Sequence, residues 1–401
     1  MHFSGSLYPQ RKNVNHLHKL QPRDEFHTPR PHNVNPAVSS IRVVLTVKNF
    51  SHIPGVCHIG LTTTASMNMK MLRSVGIAAE CWQTRTAAEL QAQLVAASKK
   101  PGNPVTHVIV SSPAWIFPTT ALAISSTNGK DKGPGFAELC GSWPEIEFVQ
   151  QNHSGCAYLS IDKFGIRNIR DVLALSLDLH NLRVAANNGR VTGLLNELGH
   201  GKALYLPNLY DYTSFVEPYT PQKLADTLRI GSFGAARPWK NQLLAAEGAY
   251  MLAKQTGRKL ELYVNSKRPD GGERMIESRE ELFDKLPGCT LVDVPWQPWP
   301  IFRSTIAQTH LSIQASFDET FDVCAADSIA VGVPCITSQA IEWTPGYWQC
   351  DTCDPASVVR VGLCLLAEPA RAIADSRRKL KKFVQDGLQT WVDYLINDVT
   401  D

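Results

Sequence analysis

Short apolar runs rich in Val, Ile and Leu alternate with longer stretches whose apolar residues recur at helical spacing, beginning near Ile41. Runs that are apolar throughout suit strands buried on both faces, and strands alternating with helices predict a parallel sheet. "IRVVLTV" (41–47) reads as the first strand. "TTTASMNMKMLRSVG" follows as a helix stopping at Gly76, and "IAAECWQ" as the second strand. "TAAELQAQLVAASKK" has helical spacing and ends at the breaker "PGNP", after which "THVIVSS" is a buried strand. "EIEFVQQNHSG" (145–155), "LRVAANN" (182–188) and "KALYLPNLYD" (202–211) are further strand-to-loop transitions.

The Pro-bearing "TSFVEPYTPQKLAD" (213–226) reads as a linker, and a second series starts after it. Its strands are "LRIGSFG", "KLELYVNS", "CTLVDVP", "HLSIQAS" and "VPCITS", with helices between them, before a long amphipathic C-terminal helical region. The expected division is an arm at 1–40, a domain at 41–212, a linker at 213–228, a second domain at 229–380 and a C-terminal helix at 381–401. The fold class is therefore α/β, two Rossmann-like parallel-sheet domains facing across a cleft. Ligands of such sheets sit beyond the carboxyl ends of the strands, so the strand ends are where chemistry is sought.

Composition changes this picture little. At 401 residues the chain fits two domains of ordinary size. No apolar run approaches the roughly 20 residues that span a bilayer, and the N-terminus has no apolar signal core, so a cytoplasmic protein is expected. The net charge of +3 is local: residues 1–40 hold Arg11, Lys12, Lys19, Arg23 and Arg30 against Asp24 and Glu25, leaving 35 basic and 35 acidic side chains elsewhere. The arm reads as disordered, and the balanced body does not demand a polyanionic partner. The run "RRKLKK" (377–382) reads as a solvated helix face. Ten scattered cysteines suit reduced thiols, and Cys350-x-x-Cys353 reads as a pair of loop cysteines.

No Gly-x-Gly-x-x-Gly follows the first strand and no P-loop occurs, which disfavours a dinucleotide dehydrogenase and a P-loop NTPase. Instead "IGSFGAARPWKN" (230–241) carries a strand into a Gly-rich turn, then Arg237 and Lys240, then a helix. Gly231 and Gly234 permit close backbone approach, a helix start offers free N–H groups, and the two cations suit a diphosphate without a metal. The other reading is a βα turn with solvated cations. Further on, "SFDETFDVCAADSIAVGVP" places Glu319 near a helix start and Asp327 along an otherwise Ala/Ile/Val helix. Capping accounts for Asp318 or Glu319, but not for Asp327.

These residues carry a resemblance. Glu319-x7-Asp327 followed by "VGVP" resembles the Glu-x7-Glu and Gly-x-Pro element of family-4-type retaining glycosyltransferases of GT-B architecture. "GSFGAARPWKN" is similar to their diphosphate-binding segment, and "LYLPNLYD" to the Pro-Asn-x-x-Asp signature that closes their N-terminal domain. The three occur in order and cover about residues 41–400. The resemblance implies transfer of a sugar, with retained configuration, from a UDP- or GDP-linked donor that is a co-substrate, with no cofactor. By position, Arg237 and Lys240 would neutralise the diphosphate, Glu319 would hold sugar hydroxyls and Asp327 the ribose. Backbone N–H groups of Thr320 and Phe321 would add phosphate contacts. Asn152 and His153 of "QQNHSG" would face the donor sugar, and Gly55 of "SHIPGVCHIG" would border donor and acceptor.

Two departures from that pattern stand out. Asp327 replaces Glu, and Arg237 lies three residues before Lys240 rather than the usual five. Two alternatives are a non-catalytic nucleotide-sugar-binding protein and a GT-B sugar epimerase. The acceptor is open between a small molecule, a glycan and DNA. Phage DNA glucosyltransferases that modify hydroxymethylated bases share the fold, and "QQNHSG" is similar to the His-bearing loop of one of them.

Overall fold

Eleven of the apolar runs pair into two wholly parallel sheets. The structure, a computed structural model of the chain, describes residues 36–48, 59–84, 86–111, 135–161, 165–199, 203–216 and 223–397. The basic arm up to residue 35 and the loop carrying Gly55 lie outside the described residues.

The first sheet holds β1 (Arg42–Lys48), β2 (Ala78–Thr84), β3 (His107–Val110), β4 (Glu147–Asn152), β5 (Leu182–Ala186) and β6 (Leu204–Tyr205), in the order β2-β1-β3-β4-β5-β6. The second holds β7 (Thr227–Ser232), β8 (Lys259–Val264), β9 (Cys289–Asp293), β10 (Leu311–Gln314) and β11 (Cys335–Thr337), in the order β11-β10-β7-β8-β9. Every residue of β3 and β10 is buried, which is why these strands read as unbroken runs rather than alternations. Helices between the strands begin and end on local signals. Thr86 caps Ala87–Ser98 by accepting from the Glu89 N–H, and Ile59–Ser74 stops before Gly76, at φ 91°.

In each sheet the chain reverses direction beside its first strand. In the first it passes from β2 across β1 to β3. In the second it runs β7, β8, β9 and then returns to place β10 on the other side of β7. Such reversals open a crevice beyond the strand ends, here between β1 and β3 and between β7 and β10.

One continuous core runs from Val43 and Leu45 of β1 through Ile230 and Ile313 of the second sheet to Trp391 and Leu395 near the C-terminus. The last helix, Pro369–Asn397, reaches both sheets. Near its start Arg377 donates to the carbonyls of Ile329, Ala330 and Val216, and near its end the Trp391 indole N–H donates to the Pro207 carbonyl at 2.8 Å. The reading of "RRKLKK" as a solvated face holds for Arg378, Lys379 and Lys382, which are exposed, and fails at Arg377. Arg377 is buried and lies over the Phe215 ring, where it donates to the Val216 carbonyl and adds a second donor to the Ile329 and Ala330 carbonyls, which already accept from the Gly332 and Val216 N–H groups. Lys382 remains outside, paired with Asp386.

Candidate functional site

The second sheet supplies the charged side of the site. Beyond β7 the chain turns at Gly234, at φ 108°, where a Cβ would be strained, and the Gly234 N–H donates to Asn265 at 3.0 Å. The turn Pro238–Lys240 follows, and Asn241, itself at φ 53°, donates to the carbonyls of Ala315 and Thr352. Those bonds fix the Arg237–Lys240 segment against the end of β10. From that strand end come Asp318, Glu319 and Asp322. Lys240 Nζ lies 2.5 Å from Glu319 and 3.1 Å from Asp322, all three being nearly inaccessible. Burial pulls the Lys240 pKa down, but Asp322 and Glu319 outweigh it and the net shift is upward. Burial raises Glu319 more than Lys240 lowers it.

The cap of the following helix, Val323–Ala330, is neither Asp318 nor Glu319. Asp322 holds it, accepting from the Ala325 N–H at 2.8 Å with its own backbone at φ 63°. Sequence reasoning missed this because a left-handed Asp at a helix start gives the same residue string as a turn.

The first sheet supplies the facing side. Asn152 ends β4 and its amide donates to the Ser154 carbonyl at 2.8 Å, shaping the loop that carries His153. Asn187, just beyond β5, places its Nδ2 3.2 Å from His153 Nδ1 and also donates to Thr320. An NH2 group only donates, so Nδ1 accepts and the ring proton sits on Nε2. Burial lowers the His153 pKa to about 4, so the ring is neutral at pH 7. Its Nε2 has no partner among the described residues.

The two sides touch. Asp318 accepts from the Ala157 N–H at 2.8 Å, across the start of helix Cys156–Ile161, and Arg190 donates to the carbonyls of Glu319 and Ala340. Between them lies a cavity of about 280 Å³ whose lining includes Asn152, His153, Gly234, Arg237, Lys240, Glu319, Thr320 and Phe321. Besides His153 Nε2, the buried Asn187 Oδ1, Asn208 Oδ1 and Trp296 Nε1 on this lining have no partner among the described residues. Buried polar atoms want partners, so this wall suits a ligand rich in hydroxyl and carbonyl groups. Thr320 and Phe321 line the cavity, and the Phe321 ring is packed between Tyr210, Trp343 and Phe383.

Asp327 stands apart from this group. It lines a smaller adjoining cavity of about 90 Å³ with Asn265, Trp296 and Trp299. Its carboxylate accepts from the Tyr210 hydroxyl at 2.7 Å and from the Trp299 indole at 3.0 Å. A ribose contact there requires exchange of the Trp299 bond. Burial, partly offset by those two bonds, lifts the Asp327 pKa to about 7. Gly55 lies outside the described residues. Asn187, Arg190 and Arg268 had no motif to mark them, although each follows a strand end.

Solved structures of similar fold include the HepE protein of Anabaena with UDP and glucose, at TM-score 0.57 and 12% identity, covering 88% of this chain and 99% of that one. A sucrose-phosphate synthase from Thermosynechococcus elongatus gives TM-score 0.58 and 14% identity over 90% and 99%. A glycosyltransferase from Rickettsia africae gives 0.57 and 14% over the same shares.

The fold is GT-B.

No protein-family model and no curated protein matches the chain. In this GT-B molecule no described helix is long and apolar enough to cross a membrane. Among the described residues no group of three or more His, Cys, Asp or Glu is placed to hold a metal ion. Cys350 is buried and Cys353 exposed, both as free thiols.

Proposed function

We propose that this GT-B protein is a retaining glycosyltransferase that moves a sugar from a nucleoside-diphosphate donor to an acceptor hydroxyl, without a metal or organic cofactor. One observation carries the reading. The cavity at the strand-order reversals has cations and a Gly turn on one side and a neutral His153 with a free Nε2–H on the other. The diphosphate lies at the Gly234–Lys240 side, near the backbone N–H groups of Thr320 and Phe321. There fixed positive charge meets the charge that grows on the leaving group, which lowers the barrier to its departure. The sugar lies between Glu319 and His153, with Asn152 holding the histidine loop. Retention follows from the resemblance of the Glu319-x7-Asp327 element. The acceptor O–H approaches the face from which the diphosphate departs. The C1–O(phosphate) bond breaks, the new C1–O bond forms, and the acceptor's proton passes to the diphosphate.

The test is a panel of UDP-, GDP- and ADP-sugars with acceptors that include simple sugars, sugar phosphates, glycans and duplex DNA bearing 5-hydroxymethylcytosine. Nucleoside diphosphate release that depends on an acceptor is expected, and Glu319→Gln loses at least about a hundredfold in kcat/KM. Binding without release for every pair would instead fit a non-catalytic binding protein, and donor conversion with no acceptor an epimerase. Absence of binding to all donors overturns the proposal.

A further inference from the structure

Three cations line the larger cavity among the described residues, and the structure divides them sharply. Lys240 is enclosed with two carboxylates, and that cluster carries one excess negative charge. Turning its ammonium toward a ligand would leave Glu319 and Asp322 buried without their counter-ion, which is costly. Arg237 and Arg268 are arranged differently. Both bind one carboxylate, Asp270: Arg237 through Nε at 3.1 Å and Nη2 at 2.9 Å to one oxygen, Arg268 through Nε at 3.3 Å to the other. That group carries one excess positive charge. It is also the more accessible, since the side chains of Arg237, Arg268 and Asp270 are 28%, 17% and 35% exposed while that of Lys240 is 10%.

Both guanidiniums lie against aromatic rings. Arg237 lies over the Tyr158 and Trp239 rings at 5.8 and 5.6 Å, and Arg268 over Trp296 at 5.0 Å. Cation–π contact of this kind holds each arginine at the cavity wall. The two loops are joined as well, by the Ala236 N–H donating to the Arg268 carbonyl at 2.9 Å. The Arg268 loop is anchored in turn by Asn265 donating to the Val294 carbonyl.

We infer that Arg237 and Arg268, braced by Asp270, form a twin-arginine clamp that makes the direct contacts to the donor's diphosphate, while Lys240 stays in its carboxylate cluster. Arg268 is then a donor-binding residue that no motif marks, and Asp270 is a positioning residue that keeps two like charges together before the donor arrives. The inference rests on the nucleoside-diphosphate reading above.

The test compares equilibrium binding of UDP with UMP, GDP with GMP and ADP with AMP, by calorimetry on the full chain. Wild type prefers the diphosphate of at least one pair. Arg268→Ala reduces that preference by about tenfold to a hundredfold, the worth of charge-assisted bonds to one phosphate group, with little change for the monophosphate. Asp270→Ala and Asp270→Asn both reduce it, since each Asp270 oxygen accepts from a different arginine and an amide NH2 accepts from neither, whereas Asp270→Glu, which keeps both oxygens and the charge, preserves it. If Arg268→Ala does not fold, Arg268→Lys is read instead, and its preference falls because an ammonium lacks the planar fork. Wild-type preference retained in the folded Arg268 variant overturns the clamp alone. Wild type that binds none of the six nucleotides overturns the donor reading and the clamp with it.

Discussion

Asp327 shows how one buried acid leaves a trace in the stability of the whole protein. Burial lifts its folded-state pKa to about 7, while in the unfolded chain it titrates near the ordinary value of about 3.9. The folded state therefore binds the proton more tightly, and this contribution to stability is full below the unfolded pKa and is lost as pH rises through 7. His153 tilts the other way. Its pKa is lowered to about 4 by burial, so its contribution is present above about 6.5 and is lost as pH falls through 4. The two slopes oppose each other over much of the acid range, and a variant is needed to separate them. Asp327→Asn keeps Oδ1, which accepts from Tyr210 and Trp299, and replaces only Oδ2, the second oxygen that the Trp299 indole shares. The gain in melting temperature of this variant over wild type is expected to increase from pH 5 to pH 8. A constant difference across that range would show that Asp327 does not titrate there.

At the scale of elements, the contact between β10's end and the helix Cys156–Ile161 depends on a missing side chain. A Cβ at Gly155 would stand 2.2 Å from Asp318 Oδ2 and 2.7 Å from its Cγ. Gly155→Ala thus drives Asp318 off the Ala157 N–H and displaces the His153 loop, at a cost of about 1–3 kcal/mol. In an Asp318→Ala background the clash is gone, so the same substitution should cost less than about 0.5 kcal/mol, and a double-mutant cycle by denaturant melts measures the difference. Equal costs in both backgrounds would refute the contact. This pair also marks where the sequence stops being readable. The strands were legible because parallel strands buried on both faces give continuous apolar runs, and the Gly234–Lys240 turn because its parts are contiguous. The Asp318–Ala157 bond joins residues 161 positions apart, and Arg268, Asp270 and Arg237 meet only because two loops dock side by side. No local pattern records either meeting. Asp322 was missed for a different reason, since its cap depends on a left-handed backbone that the residue string does not reveal.

For the molecule as a whole, the decisive question is whether two sheets with separate strand order unfold as one. Three features join them: the Arg190 and Asp318 contacts at the cleft, the aromatic series Tyr210, Phe321, Phe383 and Trp343, and the helix Pro369–Asn397. Arg377 is the point where that helix, the chain leaving the first sheet at Val216, and the end of helix Val323–Ala330 are bound to one side chain. Removing it takes the guanidinium from the Val216 carbonyl, while the Ile329 and Ala330 carbonyls keep their bonds from the Gly332 and Val216 N–H groups. With the buried side chain lost from over Phe215 as well, Arg377→Ala should cost about 1–3 kcal/mol. The Trp391 bond to Pro207 stays intact in this variant, so the helix keeps its hold on the first sheet while losing it on the second. Wild type is expected to give one calorimetric transition. Arg377→Ala is expected to give two, with the half carrying β7–β11 melting first, because the retained helix end still protects the first sheet. A single transition at the wild-type temperature would show that the cleft contacts and the aromatic series suffice to couple the sheets without the guanidinium.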